Sequence, residues 1–114
     1  MNIQEHFIVV LIEELAEMQQ AASKVLRFSV DHQFEKYDKT NLENLQEEIL
    51  DVFAVLNILQ ALIGLKVNTN KEQLTKAIDR KLLMLKKSLE LGTITNPTQE
   101  LERLSESLKN ATPN

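Results

Sequence analysis

Two pairs of carboxylates are the groups in this chain best placed to do chemistry. Glu14 and Glu17 stand three residues apart in EELAE, and Glu48 and Asp51 stand three apart in EEILD, with Glu13 and Glu47 beside them. On a helix, residues three or four apart share a face, so each pair presents its oxygens together. Asp51 poses a sharper problem, because it is set between Leu50 and Val52 at the head of the apolar run DVFAVLNIL. A carboxylate stripped of water must be compensated or take up a proton.

Two acidic pairs facing each other across a helix interface repel; with a cation between them they become oxygen ligands. Four carboxylates from two antiparallel helices suit Mg²⁺, which takes hard oxygen ligands in an octahedron and leaves positions for water or substrate phosphates. Mn²⁺ fits the same shell. The absence of cysteine removes thiolate zinc sites, and neither His6 nor His32 has a glutamate three residues upstream, as a di-iron bundle requires. No Walker lysine loop or serine–histidine arrangement is present. The plain alternative is a solvated acidic face, since Asp and Glu fill 17 of 114 positions and one such pair is commonplace. Two pairs, one of them beside an apolar segment, favour the metal centre.

These side chains need helices to hold them, and the spacing predicts an all-α fold. Apolar residues recur at three- and four-residue steps from Ile3 to about Phe28, with no glycine or proline between. The polar stretch SVDHQFEKYDKTN follows, ending in Thr40 and Glu43 as a capping box for a second helix over about 41–65 that stops at Gly64. The second half of that helix is apolar on every side, which marks it as the most buried element. Thr69 with Glu72 forms another capping box, opening a third helix to about Leu91 with Gly92 as its left-handed stop. Leu74, Ala77, Ile78, Leu82, Leu85 and Leu89 form its apolar face. Pro97 behind Asn96 then starts a short amphipathic helix in TQELERLSESLKN. Three long helices with short joints predict a bundle, with residues 1–92 as the main domain and 93–114 as a short helix and tail.

Composition narrows the partners. The net charge is −4 and the 13 basic residues are scattered, so no stripe is offered to a nucleic acid. The longest apolar run is interrupted by Asn57 and Gln60 and is too short for a bilayer. Glu5 lies where a signal peptide carries basic residues, and the lack of cysteine is compatible with a reducing cytoplasm, so the expected location is cytoplasmic. A small domain with an all-round apolar helix argues for an oligomer.

The pattern Glu14-Leu-Ala-Glu17, a 30-residue spacer, then Glu48-Ile-Leu-Asp51 resembles the signature of the MazG-like all-α nucleoside triphosphate pyrophosphohydrolases. The surrounding blocks EELAEMQQAASKVLRF, TNLENLQEEILDVFAVLNIL and AIDRKLLMLKKSLELG resemble successive blocks of that family, covering roughly residues 10–92. The resemblance implies hydrolysis of an NTP or dNTP to the monophosphate and pyrophosphate, with Mg²⁺ held by Glu14, Glu17, Glu48 and Asp51 as the catalytic set. It also implies a homodimer or a dimer of dimers, and a house-cleaning role in the nucleotide pool. Glu13, Glu14 or Glu47 would take the proton of the attacking water. Two alternatives stay open: a non-enzymatic helical interaction module, and a phosphoribosyl-ATP pyrophosphohydrolase. The chain has no tryptophan, which some relatives use at the base, and its last twenty or so residues have no counterpart.

Further candidates follow from position. Lys24 lies two turns beyond Glu17 on nearly the same face and Arg27 one turn further; either could hold a phosphate oxygen, the plain alternative being a solvated basic helix end. Lys81 and Lys86 match basic positions in the family's third block and are expected either near a substrate's phosphates or on a solvated surface. Of the loop aromatics Phe28, His32, Phe34 and Tyr37, one could stack on a base, although core filling is the expected fate of Phe28 and Phe34. Asn57 is expected as a structural hydrogen-bonding residue or subunit contact, and Met18 and Met84 as packing residues.

Overall fold

The computed structural model describes residues 1–36, 38–67, 70–95 and 97–111, and among these it contains four α-helices and no strand. The chain divides into two compact units, Met1–Asn68 and Thr69–Asn114.

The first unit is a helical hairpin of α1 (Ile3–Phe28) and α2 (Asn41–Ile63). α1 opens with a capping box that sequence reasoning passed over: Asn2 Oδ1 accepts from Glu5 N at 2.8 Å, and the Glu5 carboxylate accepts from Asn2 N at 3.2 Å. It ends at Ser29, a non-glycine residue at φ 99° whose N–H donates to Val25 O. That conformation costs about 1–3 kcal/mol and persists only where its surroundings hold it. Asn41 does so, donating from Nδ2 to Ser29 O at 3.0 Å. The Thr40–Glu43 box forms as expected and starts α2, and Gly64 at φ 74° ends it, where the sequence placed the stop.

The hairpin core is Ala21 of α1 with Val52, Val55 and Leu59 of α2, the last with no exposed surface. α2 is therefore the best-buried element, but the expected burial on every side is not found. α1 covers one stripe of it, while Ile49, Leu50, Phe53, Ile58 and Ile63 stay exposed. Asn57 is likewise exposed, and its Nδ2 donates to Phe53 O at 2.8 Å within the same helix.

The second unit holds α3 (Lys71–Glu90) and α4 (Thr98–Ala111). The expected cap Thr69 lies outside the described residues. Asn70 is the N-cap instead, accepting from Gln73 N at 2.8 Å, and Glu72 pairs with Lys76 at 3.4 Å one turn on. Gly92 at φ 72° follows the end of α3, as predicted. Pro97 O accepts the first bond of α4, from Leu101 N at 2.9 Å; Asn96 lies outside the described residues. Ile78, Leu82 and Leu85 of α3 and Leu101, Leu104 and Leu108 of α4 line a groove of about 530 Å³, while Leu74 and Met84, expected to pack, are exposed.

Candidate metal centre

Helix periodicity brings the acidic residues together. α1 presents Glu14 and Glu17 from adjacent turns, and antiparallel α2 brings Glu48 opposite them. One carboxylate oxygen each from Glu14, Glu17 and Glu48 lie within 4.8 Å of one another. Glu14 and Glu48 are half-buried and Glu17 is exposed; Glu14 Oε2 and Glu48 Oε2 are shut off from solvent without a hydrogen-bond partner. Burial pushes the Glu14 carboxyl above the usual carboxylate range, helped by the charges of Glu17, Asp51 and Glu48. Glu48 is raised in the same way, by burial first and then by Glu17 and Asp51.

Asp51 belongs to the cluster electrostatically but not as a converging ligand. It is exposed and falls outside the group of three, yet its charge bears on both Glu14 and Glu48. Its two flanks part company, Val52 in the hairpin core and Leu50 in solvent, and Asp51 itself stays exposed.

The donor set fits a hard divalent cation. Two oxygens on opposite sides of Mg²⁺ are about 4.2 Å apart, and on Ca²⁺ about 5 Å. At most one pair of the three can be trans, and cis oxygens on Mg²⁺ are about 2.9 Å apart, so oxygens within 4.8 Å of one another would have to draw together to share one ion. The set contains no nitrogen or sulfur ligand, which suits Mg²⁺ or Mn²⁺ better than Zn²⁺. Solvated acidic groups often converge without an ion, but two buried, unpaired oxygens are not the mark of a solvated face.

Beside the carboxylates lies a polar cavity of about 400 Å³, walled by Glu17, Gln20, Ala21 and Lys24 from α1 and by Asn41, Asn44 and Glu48 from α2. Lys24 thus shares a cavity with two of the acidic groups, its Nζ 5.7 Å from the Phe34 ring centroid. Arg27 is not in that wall; its guanidinium sits 5.0 Å over the Phe28 ring. Lys81 and Lys86 stand on α3, in the second unit, where Lys86 borders the α3–α4 groove. Of the general-base candidates, Glu47 is engaged by the Lys39 ammonium, while Glu13 is exposed.

Phe28 and Phe34 do not fill the core. Both are exposed and form a ring cluster with half-buried His32, at centroid distances of 5.2 Å for Phe28–His32 and 4.7 Å for His32–Phe34. Tyr37 lies outside the described residues. Met18 packs as expected, in an apolar groove with Leu15, Ala22, Leu45, Ile49 and Phe53. Sequence reasoning missed Gln20, Asn41 and Asn44, although stepping by three and four from Glu17 and back from Glu48 reaches each of them. No helix among the described residues is long and apolar enough to cross a membrane. No protein-family model, curated protein or solved structure matches the chain.

Proposed function

We propose that this chain is a Mg²⁺-dependent nucleoside triphosphate pyrophosphohydrolase built as a MazG-like helical bundle, converting an NTP or dNTP and water to the monophosphate and pyrophosphate. The observation that carries the reading is the convergence of Glu14, Glu17 and Glu48 with two buried oxygens left unpaired. Together with the sequence resemblance, that convergence supports Mg²⁺, or Mn²⁺ in its place, as the cofactor, with Glu14, Glu17 and Glu48 holding it and Asp51 adding charge at the rim. Such an ion supplies neutralisation of the triphosphate and Lewis-acid polarisation of the reacting phosphoryl group.

The chain's own groups account for the remaining work. Water attacks the α-phosphorus, the α–β anhydride bond breaks, and a carboxylate takes the water's proton. Of the three candidates for that role, Glu14 is assigned to the ion in this reading and Glu47 is occupied by Lys39, which leaves Glu13. Lys24, within the same cavity, is the cation best placed to meet substrate charge as the monophosphate forms.

The exposed apolar residues Ile12, Leu15, Leu50 and Phe53 of the first unit support assembly into a homodimer or a dimer of dimers. The same surface is what a non-enzymatic interaction module would display, so assembly alone does not separate the two readings. Pyrophosphate release does. A panel of NTPs and dNTPs is assayed with Mg²⁺ and with EDTA, for the wild type and Asp51→Asn. At least one nucleotide is expected to be turned over with Mg²⁺, not with EDTA, and more slowly by Asp51→Asn. If none is turned over and Mg²⁺ leaves the Tm unchanged, the enzyme reading is wrong.

A further inference from the structure

Two rings of the aromatic cluster after α1 each carry a cation. The Lys24 ammonium lies over the Phe34 ring, 5.7 Å from its centroid, and one turn on along α1 the Arg27 guanidinium lies 5.0 Å over the Phe28 ring. The two rings meet edge-on at 5.3 Å, so rings and cations form one interlocked group. A ring face attracts a cation through its quadrupole within about 6 Å of the centroid. Phe34 is 55% exposed, so burial contributes little to holding it there, and what its face meets is the ammonium.

The loop fixes Phe34 from both sides. Ahead of it, Val30 O accepts from Leu42 N and His32 O from Asn41 N, each at 3.0 Å; behind it, Glu35 N donates to Asp38 Oδ2 at 3.0 Å. Asn41 Nδ2 also donates to Lys24 O at 3.4 Å, which ties the base of the loop to the residue whose ammonium the ring receives. Lys24 has charged alternatives close by. It walls the polar cavity together with Glu17 and Glu48, and long side chains on a helix lean towards its N-terminus, here towards Glu17. Among the described residues, however, no carboxylate pairs with Lys24. The distinction bears on chemistry: a carboxylate in contact would neutralise the ammonium and draw an oxygen away from the metal group, whereas a π face holds it with its charge intact.

We infer that Phe34 is a positioning residue for Lys24, holding its ammonium unpaired at the cavity so that it meets the phosphate chain of the substrate as a free charge. This inference rests on the proposed pyrophosphohydrolase reading, from which it takes the role of Lys24. Calorimetric binding of inorganic tripolyphosphate with Mg²⁺ tests it on the full chain, on Lys24→Met, Phe34→Leu and Phe34→Tyr, and on the double variant Lys24→Met/Phe34→Leu. Melts in EDTA check that each variant remains folded. Lys24→Met should weaken binding about tenfold or more, the loss of one charged hydrogen bond. Phe34→Leu, which keeps bulk but removes the π face, should weaken it about two- to fivefold, and Phe34→Tyr, which keeps the face, should bind within about 1.5-fold of the wild type. In the Lys24→Met background, Phe34→Leu should cost nothing further, a result that a merely structural role of the ring would not give. Unchanged binding by Lys24→Met or Phe34→Leu, an equal Phe34→Leu loss in both backgrounds, or a tyrosine variant as weak as the leucine one would overturn the positioning role and leave the enzyme reading standing. A wild type that binds no tripolyphosphate in Mg²⁺ would overturn both.

Discussion

Replacing Glu48 by glutamine keeps the shape of the side chain and removes one of the three charges that meet between α1 and α2. Without metal the substitution should stabilise the fold. The Glu48 carboxyl is raised above its ordinary value of 4.5 by burial, then by Glu17 and Asp51, and Glu14 is raised similarly. Between 4.5 and those raised values the folded chain binds more protons than the unfolded one. Stability therefore falls as pH rises through that window, and above it the full penalty is present. At neutral pH, Glu48→Gln escapes its share and should melt higher than the wild type in EDTA.

Metal should reverse the order. Mg²⁺ at a hundred times its Kd stabilises a protein that binds it only when folded by about 2.7 kcal/mol. With an unfolding entropy of about 2.1 cal/mol/K per residue, that raises Tm by roughly 19 °C if the unit Met1–Asn68 melts by itself, or roughly 11 °C if the whole chain melts together. The wild type should show a rise of this order and Glu48→Gln only a small part of it. The rise should also shrink as pH falls, because protons compete for the same oxygens. Circular-dichroism melts of both proteins, in EDTA and in Mg²⁺ across a pH series, provide the measurement. A Mg²⁺ response of equal size in both proteins refutes the reasoning, as does a variant less stable than wild type in EDTA. Glu43 acts in a separate window: Thr40 N–H and hydroxyl hold its carboxyl low, so its stabilisation is lost only as pH falls below 4.5.

Leu59→Ala, at the position with no exposed surface, should cost about 2–5 kcal/mol in urea unfolding, set by the cavity it leaves. Asn41→Ala removes the donor to Ser29 O and should cost about 1–3 kcal/mol, with proteolysis of the 29–40 loop rising in parallel; unchanged loop protection would mean that Asn41 does not hold the loop. Under the proposed self-association the wild type should sediment as a dimer or larger, and Phe53→Glu, on the exposed face of α2, should sediment as a monomer with an unchanged helical spectrum.

Local signals carried most of what the sequence revealed. The Thr40–Glu43 box, the left-handed Gly64 and Gly92 and the long uninterrupted α1 follow from chemistry within a few residues, and the structure has each of them. The convergence of Glu14, Glu17 and Glu48 was legible for a similar reason: the three-residue step fixes which face each occupies, and a hairpin leaves few ways to pair the faces. Less legible were the features that depend on how completely one helix covers another. Phe28 and Phe34 look like core residues by type, yet Phe28 stacks on His32 of the following loop and Phe34 meets that ring edge-on. The start of α3 shifted because Thr69 and Asn70 are both good caps by residue type, and the choice between them is made by one backbone N–H, that of Gln73. Gln20, Asn41 and Asn44 escaped notice because amides carry no charge pattern to mark them.

Asp51 joins these strands. Its flanking residues promised an apolar environment, and in the single chain only one of them supplies it: Val52 is in the core, while Leu50 is 68% exposed, as is Phe53 at 51%. At about 100° per residue, Leu50 and Phe53 lie on one stripe of α2 while Asp51 turns towards the stripe of Glu48, so a surface that covers the two apolar side chains does not by itself desolvate the carboxylate. Under the proposed metal reading, an ion held by Glu14, Glu17 and Glu48 would offset the charge of Asp51 as well. The two halves of EEILD then make separate demands: under the proposed readings its exposed apolar side chains call for a partner surface and its carboxylates for a divalent ion.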